Sequence, residues 1–334
     1  DNYVDPVEAD NLMEGAYEGM LRGLDPHAAY LSAGELTAWK EQGGDLSAGP
    51  GLTVLKGFGA LQIVAVDPGS PADEAGLVDG DQIRAIGDEL LRDLSQDQAV
   101  RMLRGPAGST VEMQVIHPAS GFSREDQALV RKPRQQLAHH FEKEDGILVL
   151  RVQDLTRMDT VSLAEELAEY RDQGVGELLI DLRNVAEGSP RDLGPFAGLF
   201  HTGEAFRLVD REGAVMETVG FAGQEPAWTG TVSLLVNGAT AGAAEGFARL
   251  LQVQGLVKVY GEETYGMGSE PELFELPNGS GVLVAAREWR LVSGESWSDE
   301  GVVPDVTIRP AGATYLERLD DQMEKALAEL VLVR

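Results

Sequence analysis

The segment over residues 231–269 constrains the fold most, because short apolar runs alternate there with glycine-rich turns. β-branched and aliphatic runs bounded by Asn and Gly predict strands at Thr231–Val236 and Leu256–Tyr260. Between them, apolar residues three and four positions apart predict a helix over Ala241–Gln254. A strand–turn–helix places the start of the helix at the rim of a sheet, where nucleophiles and oxyanion donors are often built.

The same alternation occurs earlier in the chain. Ile147–Val152 reads as a strand, Val161–Gln173 as an amphipathic helix, and Leu178–Leu182 as a continuous apolar strand. Continuous apolar strands are typical of parallel sheets that are covered on both faces. The repeated βα order therefore predicts an α/β core.

Two stretches resemble the active-site segment of the carboxy-terminal processing peptidases, family S41. Members read roughly N-x-x-S-A-S-A-S-E and then, after a helix and a strand, G-E-x-T-F-G-K-G-x-V-Q. This chain reads N-G-A-T-A-G-A-A-E from Asn237 and G-E-E-T-Y-G-M-G-S-E-P from Gly261. The resemblance implies that the family's nucleophilic serine falls on Gly242, its general-base lysine on Met267 and its supporting glutamine on Pro271.

These three replacements remove the chemistry that the resemblance implies. A serine–lysine dyad needs a hydroxyl nucleophile and an amine that accepts its proton. Gly242 has no hydroxyl, Met267 cannot accept a proton, and Pro271 lacks even a backbone donor. We therefore expect a pseudopeptidase rather than an enzyme, one that binds proteins or peptides as a scaffold, adaptor or regulatory partner.

A third stretch resembles the family motif D-L-R-x-N-P-G-G, whose glycine backbone helps to build the oxyanion hole. The chain reads D-L-R-N-V-A-E-G from Asp181, so Glu187 replaces the first glycine of the pair. A carboxylate beside a developing oxyanion would raise the barrier. Gly188 and Ala243 remain as the expected residues of the oxyanion region.

Two alternatives to an inactive binding protein stay open from the sequence. Thr240 is a weak candidate for a relocated nucleophile, which would make the chain an active serine-type or threonine-type endopeptidase. Its position before a helix favours an N-cap role instead, and Lys258 is expected to face solvent from its strand. The second alternative is a small apolar ligand in the vacated cleft, as in the interphotoreceptor retinoid-binding proteins, which resemble this core.

A second unit precedes the α/β core. From Gly69 to Ile86 the chain reads G-S-P-A-D-E-A-G-L-V-D-G-D-Q-I-R-A-I, and Ser95-x-x-Gln98 is a capping box for a helix through Leu103. This order resembles a bacterial, circularly permuted PDZ domain, which would bind protein or peptide C-termini by strand addition. The resemblance implies a carboxylate loop weakened by Pro50 and a groove helix, with these peptide-binding residues: Gly49, Gly51, Leu52, Val100 and Leu103.

The resemblance runs from Tyr3 to Ile308 and implies an α/β fold (an α+β core of the S41 peptidase type) with an inserted PDZ domain and an N-terminal helical region. We expect domains at 1–45, 46–132, 133–310 and 311–334. Asp5 would cap the first helix, 33–50 would be loose, and an amphipathic helix would cover 316–332. The first helix carries an apolar stripe that we expect to pack: Leu12, Met13, Ala16, Tyr17, Met20, Leu21 and Leu24.

Composition excludes several classes of function. The 27 basic and 56 acidic residues give a net charge of −29, which disfavours nucleic acid and anionic lipid as partners. The chain has no cysteine, so thiol catalysis and disulfides are excluded. No apolar run is long enough to span a membrane, and His139-His140-x-Glu142 lacks metal-site spacing, so we expect neither metal nor cofactor.

Two further expectations come from the family resemblance. Its members are usually exported, so we expect an extracytoplasmic, bacterial protein; the start at Asp1 rather than Met is compatible with removal of an upstream signal or anchor. An active homologue or a second copy of the chain is a further candidate partner.

Overall fold

The structure is a computed structural model that describes residues 9–21, 23–25, 27–41, 46–57, 59–133, 138–221, 226–312 and 315–332. The chain divides into two compact units. The first is Asp1–Gln135 with Glu270–Ala286, and the second is Gln136–Ser269 with Arg287–Arg334. The expected cap at Asp5 lies outside the described residues.

The helices and strands are numbered in chain order. The helices are α1 Ala9–Leu21, α2 Ala33–Glu41, α3 Pro71–Glu74, α4 Gln96–Leu103, α5 Thr160–Asp172, α6 Gly194–Ala197, α7 Ala243–Val253 and α8 Tyr315–Leu332. The strands are β1 Ala29–Leu31, β2 Ala48–Gly49, β3 Leu52–Lys56, β4 Leu61–Val66, β5 Gln82–Ile86, β6 Glu89–Leu90, β7 Thr110–His117, β8 Ser123–Val130, β9 Lys132–Pro133, β10 His139–Glu144, β11 Ile147–Val152, β12 Glu177–Asp181, β13 Gly203–Asp210, β14 Val215–Phe221, β15 Thr231–Val236, β16 Val257–Gly261, β17 Ser269–Glu275, β18 Gly281–Leu291 and β19 Val306–Thr307.

The first unit contains an antiparallel sheet in the order β3-β4-β5-β7-β8, with β6 paired to β5. Its inward faces and α4 form one apolar core that includes Ile63, Ile83 and Val115. The predicted capping box of α4 is confirmed: Ser95 Oγ accepts from the Gln98 amide at 3.2 Å, and Gln98 Oε1 accepts from the Ser95 amide at 2.8 Å. This box fixes where the helix beside β3 begins.

The stretch expected to be loose after residue 33 is instead helical up to Glu41. Ser32 and Glu35 form a capping box, in which the Ser32 amide donates to Glu35 Oε2 at 2.7 Å and the Glu35 amide donates to Ser32 Oγ at 3.3 Å. Two orphan donors at the helix start are thereby satisfied reciprocally. The spacing S-x-x-E was legible in the sequence, so the expectation of a loose segment was wrong for 33–41.

The expectation that the whole apolar stripe of α1 packs is also wrong. Tyr17 stacks near Tyr30 of β1, with ring centroids 5.3 Å apart. Four other members of the stripe are exposed by 49–65 %: Leu12, Met13, Met20 and Leu24. Periodicity shows which side of a helix is apolar, but it does not show how much of that side a neighbour covers.

The second unit is built on a sheet in the order β10-β11-β12-β15-β16-β19. Within this sheet, neighbouring strands pair in parallel along β11, β12, β15, β16 and β19, whereas β10 is antiparallel to β11. Alternate residues of β12 enter different cores, because Leu178 and Ile180 pack on the side of α5 and α7 while Leu179 packs on the side of α8. The predicted α/β core with covered faces is confirmed.

Two further elements complete this unit. β13 pairs with β14 and with the Arg287–Leu291 part of β18. In α8, Met323 and Leu327 are buried whereas Leu316 is 55 % exposed, so the helix packs on its own unit through its central turns. Among the described residues, no helix has the length and apolarity needed to cross a membrane.

Candidate functional site

The carboxyl ends of β12, β15 and β16 bring three loops together at one edge of the parallel sheet, where α/β folds usually carry their ligand sites. The first two loops are joined by an amide pair. Asn237 Nδ2 donates to Asn184 Oδ1 at 2.8 Å, and Asn237 Oδ1 accepts from the Asn184 amide at 3.1 Å. One side chain–side chain and one backbone–side chain hydrogen bond thus hold the two loops together.

Gly242 lies at the sharp turn between β15 and α7. Its backbone has φ 60° and ψ −116°, a conformation that residues with a side chain rarely adopt. Strained strand-to-helix turns of this kind present nucleophiles in hydrolases. The turn therefore keeps the shape that presents a nucleophile, although its residue has no side chain.

The space beside Gly242 is already filled. A Cβ atom added to Gly242 would lie 2.7 Å from the Gly188 carbonyl oxygen and 3.0 Å from Met267 Cε. The structure thus brings the predicted serine and lysine positions together, as the resemblance implies, but the methionine methyl group and a backbone carbonyl stand where a serine side chain would begin. Pro271, the expected glutamine position, lies in β17 and belongs to the other compact unit.

The two expected oxyanion residues are also brought together, but they bond each other. The Ala243 amide donates to the Gly188 carbonyl at 3.1 Å. Gly188 itself has φ 90°, and a Cβ atom there would lie 2.9 Å from Thr156 Cγ2. An oxyanion hole needs N–H groups aimed at the ligand. In this arrangement the Ala243 amide already has an intramolecular acceptor.

In the first unit, the predicted carboxylate loop leads into β3. Gly51 has φ 85°, and a Cβ atom there would lie 2.2 Å from Ser70 Cβ, so only glycine fits. Gly49 pairs with Lys132 across β2 and β9, and Leu52 is half-buried at the start of β3. The loop is held in place by these contacts.

The two expected groove residues of α4 differ in burial. Val100 is half-buried and packs against the edge of the core. Leu103 is 3 % exposed and lies within that core, and its place in the peptide groove stays a prediction. The apolar face of an amphipathic helix packs against the core, so periodicity alone does not show which of its residues also line a groove.

Comparison with known proteins assigns both units. Residues 146–308 match peptidase family S41, and residues 62–116 match the PDZ domain. Residues 146–308 form a peptidase family S41 domain. It is 26 % identical to the carboxy-terminal processing protease CtpA of Bacillus subtilis over 322 residues, which are 96 % of this chain and 68 % of that protein.

Two other relatives extend this assignment. The chain is 28 % identical to the carboxyl-terminal-processing protease of Picosynechococcus, covering 92 % of this chain and 76 % of that one. The solved structure of a photosystem II D1 C-terminal processing protease aligns with a TM-score of 0.70 at 23 % identity, over 95 % of this chain and 87 % of that one. That structural likeness supports the S41 fold with its PDZ domain.

Glu245 organises the S41 cleft, although sequence reasoning did not assign it a role. It is fully buried, and its carboxylate accepts from the amides of Gly242 at 2.9 Å, Gly266 at 2.6 Å and Met267 at 2.7 Å. The Thr264 hydroxyl donates to it at 2.5 Å. Burial raises the pKa of Glu245, while these four hydrogen bonds oppose the rise. The capping-box spacing of Gly242-x-x-Glu245 was the signal in the sequence.

Thr240 has a structural role in the S41 core. It is fully buried. Its hydroxyl donates to the Leu182 carbonyl at 3.0 Å, and Thr240 Oγ1 also accepts from the Asn237 amide at 3.1 Å. The expected N-cap role was wrong, because Gly242 is the N-cap of α7. Thr240 instead closes the turn after β15.

The D-L-R motif forms a buried ion pair that holds the loop after β12. Arg183 donates to both carboxylate oxygens of Asp181, at 2.9 and 2.8 Å, and to the Leu319 carbonyl of α8. Desolvation works against ionisation, but the guanidinium charge and its hydrogen bonds lower the pKa of Asp181. The pair therefore fixes the start of the loop that carries Glu187 and Gly188.

Proposed function

We propose that this protein is an S41 pseudopeptidase that binds protein or peptide C-termini through its PDZ domain, acting as a scaffold, adaptor or regulatory partner. The observation that carries the proposal is the surroundings of Gly242. The nucleophile position has no side chain, and the Gly188 carbonyl and Met267 methyl group lie within 3.0 Å of where one would start. An acyl carbon placed there would meet no hydroxyl and no amine.

Electrostatic stabilisation is weakened in the same place. The Ala243 amide donates to the Gly188 carbonyl, so it would have to break that bond to serve an oxyanion. Losing one such donor typically costs about 10²–10³ in rate. An enzyme without its catalytic residues retains roughly 10³–10⁴-fold over water, which is negligible against a peptide bond.

A relocated nucleophile is disfavoured by the burial of Thr240. Its hydroxyl is fully buried and engaged by Leu182 and Asn237, whereas a nucleophile must reach a substrate carbonyl. No described side chain supplies it with a neighbouring base. Thr240→Ala is accordingly expected to leave any residual hydrolysis unchanged.

The binding half of the proposal rests on the PDZ match and on the position of β3 at the end of its sheet. β3 is the last strand of its sheet among the described residues, and strand addition needs such an edge. We assign binding to domain 46–132 and the cleft to domain 133–310, flanked by the regions 1–45 and 311–334. We further propose an extracytoplasmic location, with an active homologue or a second copy as candidate partner.

Restoration of the family residues tests the proposal. The triple variant Gly242→Ser, Met267→Lys, Pro271→Gln is compared with wild type and with the matched variant Gly242→Ala, Met267→Lys, Pro271→Gln, which lacks only the hydroxyl. The substrate is an unfolded protein with an apolar C-terminus, followed by mass spectrometry and by pull-down on the immobilised C-terminal peptide.

We expect wild type to bind without cutting and only the serine variant to cut. Because a carboxylate beside a developing oxyanion raises the barrier, adding Glu187→Gly is expected to raise the restored rate. Cutting by wild type that persists through repurification would overturn the pseudopeptidase assignment. Absence of binding to any C-terminal peptide would overturn the PDZ half.

A further inference from the structure

The backbone of β3 alternates between its partner strand and its open edge. On the inner side, the Gly51 carbonyl accepts from the Asp67 amide at 2.9 Å. The pairing with β4 shifts register between Thr53 and Val54, but beyond the shift the Gly57 amide donates to the Ala60 carbonyl on the same inner side, at 2.9 Å. Because successive residues of a strand alternate, Leu52, Val54 and Lys56 direct their N–H and C=O groups to the open edge. These residues are the positions at which an added strand would bond.

The last of these positions is already occupied by a side chain of α4. The Lys56 amide donates to Gln96 Oε1 at 3.0 Å, and the Lys56 ammonium donates to the Leu91 carbonyl at 3.1 Å. Gln96 is 6 % exposed and is the first residue of α4, whose start is fixed by the Ser95 capping box. A buried amide held at a capped helix start is a fixed obstacle rather than a mobile one.

We propose that Gln96 closes the far end of the peptide groove, so that the PDZ domain recognises only about the last four residues of a C-terminus. The inference rests on the proposed peptide binding. A peptide whose carboxylate lies at Gly51 and Leu52 runs antiparallel to β3, bonds Leu52 and Val54, and reaches Lys56 about five residues from its end. At that point the peptide carbonyl would need the Lys56 amide, which already donates to Gln96 Oε1, so the added strand ends there.

Isothermal titration of the full chain tests this closure. The probes are two N-acetylated peptides without charged side chains, and both end in Ala-Thr-Ala-Val with a free carboxylate. One has about four residues, and the other is extended to about eight by Thr-Val repeats. For wild type we expect the two dissociation constants to agree within about twofold, because the extra residues gain no backbone bond.

Gln96→Ala removes the side-chain acceptor of the Lys56 amide, so we expect the longer peptide to bind about fivefold more tightly than the shorter one, as one recovered hydrogen bond would give. Gln96→Glu keeps an acceptor at the same position and should behave as wild type. Gln62→Ala, at an exposed residue of the inner strand β4, is the matched control for loss of a glutamine side chain and should also keep the wild-type ratio.

The outcomes separate the two levels of the proposal. A wild-type chain that binds the longer peptide about fivefold more tightly overturns the closure, whatever the variants do. An unchanged ratio in folded Gln96→Ala also overturns it, with peptide binding left intact. If neither peptide binds wild type or Gln96→Ala, the proposed PDZ function fails and the closure fails with it.

Discussion

Glu245 shows at the scale of single residues how the loops at Gly242 and Met267 are held together. One buried carboxylate bonds the backbone of Gly242 and of the Gly266–Met267 turn, so both loops are held by a group that does not depend on the serine or the lysine. The backbone at the predicted serine and lysine positions is therefore held by Glu245 and not by the side chains at those positions.

We expect Glu245→Gln to destabilise the chain by about 3 kcal/mol, because the change leaves buried donors without acceptors. Each carboxylate oxygen accepts from two donors, so either orientation of the glutamine amide sets its NH₂ group against two of them. Urea unfolding measures the loss. Glu165→Gln, on the exposed side of α5, is the matched control and should change the unfolding free energy by less than about 0.5 kcal/mol. Equal stability of the two variants would contradict this role.

We expect Gly242→Ala to cost more than its backbone conformation alone explains. The new Cβ meets the Gly188 carbonyl at 2.7 Å, in addition to the strain of a positive φ. Gly174→Ala is the control, because Gly174 has φ 83° and nothing within 4 Å of an added Cβ. Gly174→Ala should cost about 1 kcal/mol and Gly242→Ala about 2 kcal/mol or more in chemical denaturation. A smaller loss at Gly242 than at Gly174 would show that the cleft has room.

At the scale of elements, the apolar runs and the Asn and Gly residues that bound them predicted the strands of the α/β core closely. β15 covers Thr231–Val236 as expected, and α7 starts at Ala243 rather than Ala241 because the turn at Asn237–Gly242 is longer than the pattern suggests. What periodicity cannot give is the direction of a carbonyl group in a loop. The Gly188–Ala243 bond depends on loops that meet only in the folded sheet.

The turn before β5 carries a pH-dependent stability. Burial first, and then the charge of Asp81, raise the pKa of Asp79 to about 6. Since the folded pKa exceeds the unfolded value of 3.8, the folded chain binds more protons, and this contribution to stability is lost as pH rises from about 4 to about 6.

We therefore expect Asp79→Asn to raise the midpoint of thermal unfolding at about pH 7.5 and to leave it nearly unchanged at about pH 4. Asparagine mimics the protonated carboxyl and keeps an acceptor for the Val66 backbone contact. The exposed Asp88→Asn variant on the next turn is the control and should show no such difference between the two pH values. Destabilisation by Asp79→Asn at the higher pH would contradict the sign of the shift.

At the scale of the whole molecule, the family order of helical region, PDZ domain and S41 core was readable from motifs spread along the chain. The burial of individual residues was not. Leu103 is buried in the core and much of the α1 stripe is exposed, because burial depends on which elements pack against each residue in the folded chain. The same holds for the site: the motifs indicate the family, whereas the atoms that surround Gly242 are known only from the folded structure.

The most direct test of the central claim is the turnover of an unfolded, apolar-ended protein by the purified wild-type chain, followed by mass spectrometry at enzyme excess. The expected result is intact substrate at all times, while a pull-down with the same protein retains the C-terminal peptide. Cleavage products that track the protein through successive columns, and that vanish when a residue of the cleft is changed, would contradict the account and identify an active peptidase.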